Sequence, residues 1–271
     1  MDALKIEKMA LEMRKNILDV SLSCKRSVHM GGGLSLVEIL ATLYGAVLKY
    51  DLHNPYWDER DRFILSKGHG VLGYFSALHQ VGFIDKDTFF SFQTNGSDLI
   101  AHPVMNLPLG IESSNGSLGH GLSLGIGIAM ASRKKKTGNK TYVLLGDGEC
   151  NEGSVWEAIM AAAHYKLSDL VAIVDFNRFQ SDGESKTVID SGKFLEKWQS
   201  FGWEAEEVDG HDVKQLYEAL TTKKTQDLPK VIIAHTVKGK GVSFMESNND
   251  WHHNRLTQAS YNNAMDELEA L

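Results

Sequence analysis

The chain has 271 residues, 42% of them hydrophobic and 23% charged, which suits one large α/β domain. A net charge of −7 disfavours general nucleic-acid binding and attachment to an anionic membrane. The two cysteines, Cys24 and Cys150, cannot build a Cys₄ zinc site and fit a reducing compartment. The first residues, MDALKIEKMALEMRKN, are too charged for a signal peptide, and no apolar run approaches membrane-spanning length, so a cytoplasmic protein is expected.

Leu4, Leu11 and Leu18 recur every seven residues and predict an amphipathic helix to about Lys25. After the turn Gly31-Gly32-Gly33, Ser35 and Glu38 have capping-box spacing and predict a helix to about Lys49. Arg62 to Ser66 reads as a short strand, and Lys67-Gly68-His69-Gly70 leads into a helix through Gln80. Residues 92–117 lack periodicity and read as a long functional loop. A helix of small residues then ends in Arg133-Lys134-Lys135-Lys136, where positive charge complements the helix dipole. Strand patterns precede Asp147 and Asn177, with a helix between them. Further on come a helix over Leu195–Phe201, a strand over Trp203–Val208, a helix over Asp212–Lys223 and a last strand over Lys230–Thr236. Strands alternating with helices predict an open, mostly parallel sheet covered on both faces. Without a linker-like stretch, residues 1–271 read as a single domain with a carboxyl-terminal arm from about Val242.

The most informative stretch lies between Thr141 and Gly183. Gly146-Asp147-Gly148 follows one apolar run and Asn177 follows the next, thirty residues later (177 − 147), the length of a strand-helix-strand unit. Neighbouring parallel strands would bring the carboxylate and the amide together at their carboxyl ends, where open α/β sheets bind ligands. Two oxygen donors suit a hard cation such as Mg²⁺ shared with phosphate, and the glycines let backbone N–H groups approach a diphosphate. Among the 11 histidines, His29, His69, His102, His120 and His211 sit beside glycine or proline in loops, as functional histidines often do; His79 and His164, inside helical patterns, read as structural.

Seven motifs in order resemble the amino-terminal section of a transketolase: SVHMGGGLS from Ser27, DRFILSKGH from Asp61, Ala101-His102-Pro103, GSLGHG from Gly116, GDGECNEG from Gly146, Asp175-Phe176-Asn177, and GKGVSFME from Gly239 before Trp251-His252. The resemblance implies a thiamine diphosphate-binding domain with Mg²⁺ or Ca²⁺. It implies that Asp147 and Asn177 give side-chain ligands to the cation and Phe179 a carbonyl. Gly148 would contact the diphosphate, with His69 and His252 nearby, and Gly116 and Leu118 would lie along the thiamine. His29, His102 and His252 would surround the reacting carbon and sugar hydroxyls, and Glu152 would face a subunit junction. Full-length transketolases are more than twice as long, so the resemblance implies the amino-terminal subunit of a split enzyme. Its separate carboxyl-terminal partner would carry the pyrimidine-binding domain, in an α₂β₂ assembly acting on sugars or sugar phosphates. His120 and His253 depart from the family pattern, which carries Gln and Gly at these places, and acceptor preference could follow from them.

Three other readings compete. Gly68-His69-Gly70-Val71-Leu72-Gly73 fits a dinucleotide-binding fingerprint, but His69 crowds its first two glycines and no acidic residue stands at a following strand end. A zinc hydrolase lacks the expected ligand spacing, and a non-catalytic interaction protein would have no reason to keep every motif. Within the thiamine class, a deoxyxylulose-phosphate-synthase-like enzyme and the α subunit of a 2-oxo-acid dehydrogenase are the alternatives.

Overall fold

The computed structural model describes residues 1–222 and 227–270. In chain order the elements are α1 (Ala3–Ser23), β1 (Ser27–Val28), α2 (Gly31–Leu34), α3 (Val37–Thr42) running into a π-helical turn (Leu43–Val47), and β2 (Arg62–Leu65). They continue with α4 (Val71–Val81), α5 (Lys86–Phe90), α6 (Gly121–Lys135), β3 (Thr141–Gly146), α7 (Gly153–His164) and β4 (Leu170–Phe176). The last are α8 (Ser185–Val188), α9 (Phe194–Ser200), β5 (Glu204–Asp209), α10 (Val213–Thr221), β6 (Lys230–His235), β7 (Asn254–Arg255) and α11 (Gln258–Glu269). The helix expected to reach Lys223 is observed to Thr221, and Lys223 lies outside the described residues.

Five strands form one parallel sheet in the order β2-β3-β4-β6-β5, as the alternation of strand and helix patterns predicts. The central strands are apolar along their length, yet successive side chains leave by opposite faces. Phe63, Leu65, Tyr142, Leu144, Ile173 and Ile232 join a core with α1, α3, α4 and α10. Ile64, Val143, Leu145, Val174, Val231 and Ile233 join a second core with α6, α7 and α9. The edge strand β5 carries Glu204, Glu206 and Glu207, charges that discourage pairing with another chain, and Glu206 binds Lys230 at 2.6 Å.

Two local expectations are corrected. In α1 the buried stripe is Ile6, Ala10, Met13 and Ile17, while Leu4 is 60% exposed. A strict seven-residue repeat drifts around a straight helix by about 20° per heptad, so the repeat finds the helix but not its buried face. The Ser35/Glu38 pair does not cap a helix. Leu36 is the residue before α3 and makes no side-chain cap bond. Ser35 instead donates to Asp175 across the core at 2.6 Å, and Glu38 binds Arg14 at 2.6 Å and His211 at 2.8 Å. Long-range charged partners outweigh a local cap in this interior.

The chain makes one more pairing after β6. Strand β7 lies antiparallel to β1, and Val242, Met245, Leu256, Ala264 and Leu268 enter the same core as α1. Tyr261 of α11 donates to Asp19 of α1 at 2.6 Å.

Candidate active site

A parallel sheet delivers all its strand ends to one side, and here the ends of β2, β3, β4 and β6 each supply a polar group. Lys67 follows β2, Asp147 follows β3, Asn177 follows β4, and Thr236 and Lys238 follow β6. Above them opens a cleft of about 540 Å³. It is lined by Asp147, Asn177, Phe179, Gly148, Gly116, Leu118, Glu152, His29, His69, His102 and His252, so the residues expected to hold the cofactor or act at the reacting carbon border one space. His120 and His164 are exposed elsewhere, and His211 is tied to Glu38 through Nδ1 and accepts the Val237 N–H on Nε2 at 2.8 Å. His79 bonds the Ile84 carbonyl at 2.7 Å and stacks on Phe89, a packing role.

The floor of the cleft is a buried charge network in which, apart from Asn177, the sequence assigned no member a role. Asp175 is fully buried and accepts from Lys67 Nζ, Thr236 Oγ1, Ser35 Oγ at 2.6 Å and Asn177 Nδ2 at 2.9 Å. Burial alone would raise its proton affinity; the Lys67 charge and these donors outweigh burial and hold it below the usual carboxylate range. The Asn177 amide is pinned at both ends, since its Oδ1 also accepts the Phe179 N–H at 3.0 Å. The carbonyl oxygen keeps a second lone pair for a cation. Glu149 is likewise buried and accepts from Ser66 and from the N–H groups of Gly119 (2.9 Å) and Gly146 (3.1 Å), tying the GDG turn to the loop before α6. Burial raises its proton affinity.

Asp147 is 2% exposed and is held by Ser185 Oγ at 2.8 Å. Burial, with the Asp175 charge adding to it, pushes its carboxyl from 3.8 up to about 6. Lys67 offsets this only in part, and among the described residues no cation forms an ion pair with Asp147. The side-chain N–H donors of Asn151 and Gln180, which border the same cleft, are buried and find no hydrogen-bond partner among the described residues. Gly148 stands where a Cβ would be 2.6 Å from Gln180 Cγ, so its backbone can be approached closely only as glycine. A lone carboxylate, an amide oxygen and uncommitted N–H donors are the donor set of a cation shared with a diphosphate, so the residues fit both groups.

The imidazoles form the opposite wall. The His29 ring lies 5.5 Å from His69, 6.1 Å from His102 and 5.3 Å from His252. Burial and then the neighbouring rings lower His29 to about 3; burial and then Lys238 lower His252 to about 4; burial and then Lys67 lower His69 well below its ordinary value. All three are therefore neutral at pH 7, able to accept or donate a single hydrogen bond at each ring nitrogen. Lys238 Nζ donates to His252 Nδ1 at 2.9 Å, which places the His252 hydrogen on Nε2. Burial, then Lys67, lowers Lys238 itself to about 8. Lys67 and Lys238 sit in the KGHG and KGKG motifs, where the sequence assigned them no role.

The fold and the cleft together define an α/β domain that holds a diphosphate cofactor at the carboxyl ends of a parallel sheet. The chain belongs to the transketolase thiamine diphosphate-binding domain family, whose model matches residues 7–268. It is 39% identical over 264 residues, 97% of this chain and 96% of the other, to a subunit of apulose-4-phosphate transketolase from Actinobacillus succinogenes. It is 38% identical over 242 residues, 89% of this chain and 88% of the other, to a 6-deoxy-6-sulfo-D-fructose transketolase subunit from a Clostridium species. The transketolase of Leishmania mexicana superposes with a TM-score of 0.90 at 29% identity, and that of Campylobacter jejuni with 0.91 at 28%. These matches cover 97% and 99% of this chain, which spans only 41% and 43% of those solved chains.

Proposed function

We propose that this chain is the cofactor-diphosphate subunit of a two-subunit transketolase, moving a two-carbon ketol unit from a ketose to an aldose. The observation that carries the reading is the convergence of the carboxylate, the pinned amide and four neighbouring imidazoles on one cleft. Asp147, Asn177 and the Phe179 carbonyl would hold Mg²⁺ or Ca²⁺, and Gly148 with the Asn151 and Gln180 donors would hold the diphosphate. Gly116 and Leu118 would border the thiamine. The cofactor, when bound, supplies the carbanion chemistry of the transfer. The chain's own part is to anchor, orient and manage protons. His29, His102 and His252 accept and return the protons of sugar hydroxyls, and burial keeps His29 and His252 neutral at pH 7, while His69 and Lys67 lie toward the diphosphate.

A separate partner is supported by two features. The relatives whose names carry "subunit" match this chain along nearly their whole length. Beside the cleft, Leu124 and Met130 of α6 and Met160 of α7 are exposed, and Gly127 and Gly153 leave open space that a packed helix could enter. Glu152, at the start of α7, stands where this face meets the cleft. We propose that a chain with the pyrimidine-binding domain covers this face in an α₂β₂ assembly of closed twofold symmetry. The two relatives' names carry a phosphate and a sulfonate sugar, and a sugar with a strongly anionic end is the substrate class we propose. The test is to assay ketol transfer from xylulose 5-phosphate with the chain alone and with a candidate partner. Activity only in the mixture supports the reading. Full activity from this chain alone, or CO₂ release from pyruvate by the mixture, overturns it.

A further inference from the structure

His211 stands in the turn after β5, between two partners that fix the hydrogens on its ring. Glu38 Oε2 of α3 lies 2.8 Å from Nδ1, and the Val237 N–H donates to Nε2 at 2.8 Å. A peptide N–H can only donate, so Nε2 carries no hydrogen and Nδ1 donates to the carboxylate. Burial alone would raise the Glu38 carboxyl; the His211 bond and the Arg14 charge outweigh burial and hold it below the usual carboxylate range. Arg14 of α1 completes the triad, since Nη2 pairs with Glu38 Oε1 at 2.6 Å and Nε donates to the Lys240 carbonyl at 3.0 Å. The triad therefore grips one turn, residues 237–240, at both ends. Lys238 lies between the two grips, is 2% exposed, and directs Nζ to Asn249 Oδ1 (2.7 Å), His252 Nδ1 (2.9 Å) and the Gln180 carbonyl (3.3 Å). None of Arg14, Glu38 and His211 lines the cleft, but His252 does.

We infer that Arg14, Glu38 and His211 are positioning residues for the transfer reaction, holding residues 237–240 so that Lys238 keeps His252 with its hydrogen on Nε2. This rests on the reading of His252 as a residue that handles protons in the cleft. The turn needs ties from outside because Gly239, at φ +82°, and Gly241, at φ +94°, adopt left-handed backbone where glycine is least restrained. A Cβ at Gly241 would stand 2.6 Å from Arg14 Nε, so the guanidinium lies directly against the turn. A lysine ammonium can direct a ring tautomer only while its backbone is fixed, since its stem has four rotatable carbons. With the Val237 bond lost, the ammonium drifts from Nδ1 and either ring nitrogen of His252 can carry the hydrogen. The Nε2 hydrogen is then present only part of the time, and turnover falls although the ring remains in place. His211 thus acts on the cleft through two intervening residues and touches no reacting group.

The two nitrogens of His211 can be removed separately. His211→Asn keeps a donor for Glu38 where Nδ1 was and loses the acceptor for Val237, whereas His211→Gln keeps an acceptor near Nε2 and loses the Glu38 donor. In the full chain labelled with ¹⁵N at histidine, long-range proton–nitrogen spectra should show His211 as the Nδ1–H tautomer and His252 as the Nε2–H tautomer. His211→Asn should turn the His252 signals into a mixture of tautomers, and His211→Gln should keep the wild-type pattern. In the reconstituted enzyme, His211→Asn should lower kcat about tenfold to a hundredfold with thiamine diphosphate affinity within about threefold of wild type, and His211→Gln should recover most of the loss. His211→Asn added to Lys238→Met should cost no more than Lys238→Met alone, because one acts through the other. A purely structural role reverses the order, with Asn tolerated and Gln not, and that result overturns the inference. Wild-type His211 found as the Nε2–H tautomer overturns it without any variant. A His252 tautomer that follows His211 in a mixture transferring no ketol unit would sink the transketolase reading and leave the positioning of His252 standing. Ketol transfer with kcat and His252 signals indifferent to His211→Asn would do the reverse.

Discussion

Replacing Asp147 by Asn should move stability and cofactor binding in opposite directions. The side chain is 2% exposed and its carboxyl is raised from 3.8 to about 6. At about 1.4 kcal/mol per unit, holding it ionised at pH 7.5 costs the cation-free fold about 3 kcal/mol. Asparagine keeps the shape and still accepts the Ser185 hydroxyl through its carbonyl, but carries no charge to desolvate. Allowing for relaxation around the site, the cation-free variant should be more stable by about 1.5–3 kcal/mol, which raises Tm by about 4–8 °C for a chain of this size. The sign of the pH dependence follows from the raised carboxyl. Protonation favours the fold, so wild-type stability from this group is complete below 3.8 and is lost as pH rises through about 6. The gap between variant and wild type should therefore open between pH 4 and 7.5. Melts in EDTA across that range measure it, and calorimetry of Mg²⁺ and thiamine diphosphate on the assembled enzyme should show binding weakened at least a hundredfold. A variant that melts at or below wild type at pH 7.5, or binds the cofactor normally, would refute the assignment of Asp147 as an unneutralised ligand.

Three further outcomes are expected. His29→Ala and His102→Ala should retain cofactor binding and lose about 10²–10⁴ in kcat, whereas His164→Ala keeps turnover and His79→Ala loses about 1–2 kcal/mol of stability with its Ile84 bond and Phe89 stacking; coupled kinetics and denaturant melts separate these. Mg²⁺ affinity should fall about tenfold per pH unit below about 6 as Asp147 takes up a proton, and a flat calorimetric profile from pH 7 to 5 would contradict this. Glu38→Ala strands the buried Arg14 and unhooks His211, so it should cost about 3–5 kcal/mol in urea unfolding while leaving cofactor affinity near wild type in the assembled enzyme.

The sequence by itself determined the parallel α/β sheet, because largely apolar central strands spaced by helices have few other ways to bury both faces. It also marked the GDG turn, Asn177 and the loop histidines, since glycine-flanked polar residues at strand ends have little packing reason to be there. It misjudged whatever depended on a partner far along the chain. Ser35 and Glu38 have the spacing of a local cap, yet each bonds across the core, to Asp175 and to Arg14 and His211. Asp175 reads as one polar residue in a strand until the fold surrounds it with Lys67, Ser35, Asn177 and Thr236. His253 acquires its position over His29 only through a ribbon joining residues more than two hundred positions apart. Local propensity and periodicity are written in neighbouring residues, whereas proton affinities and the shape of a cleft are set by charges and burial that only the tertiary structure brings together.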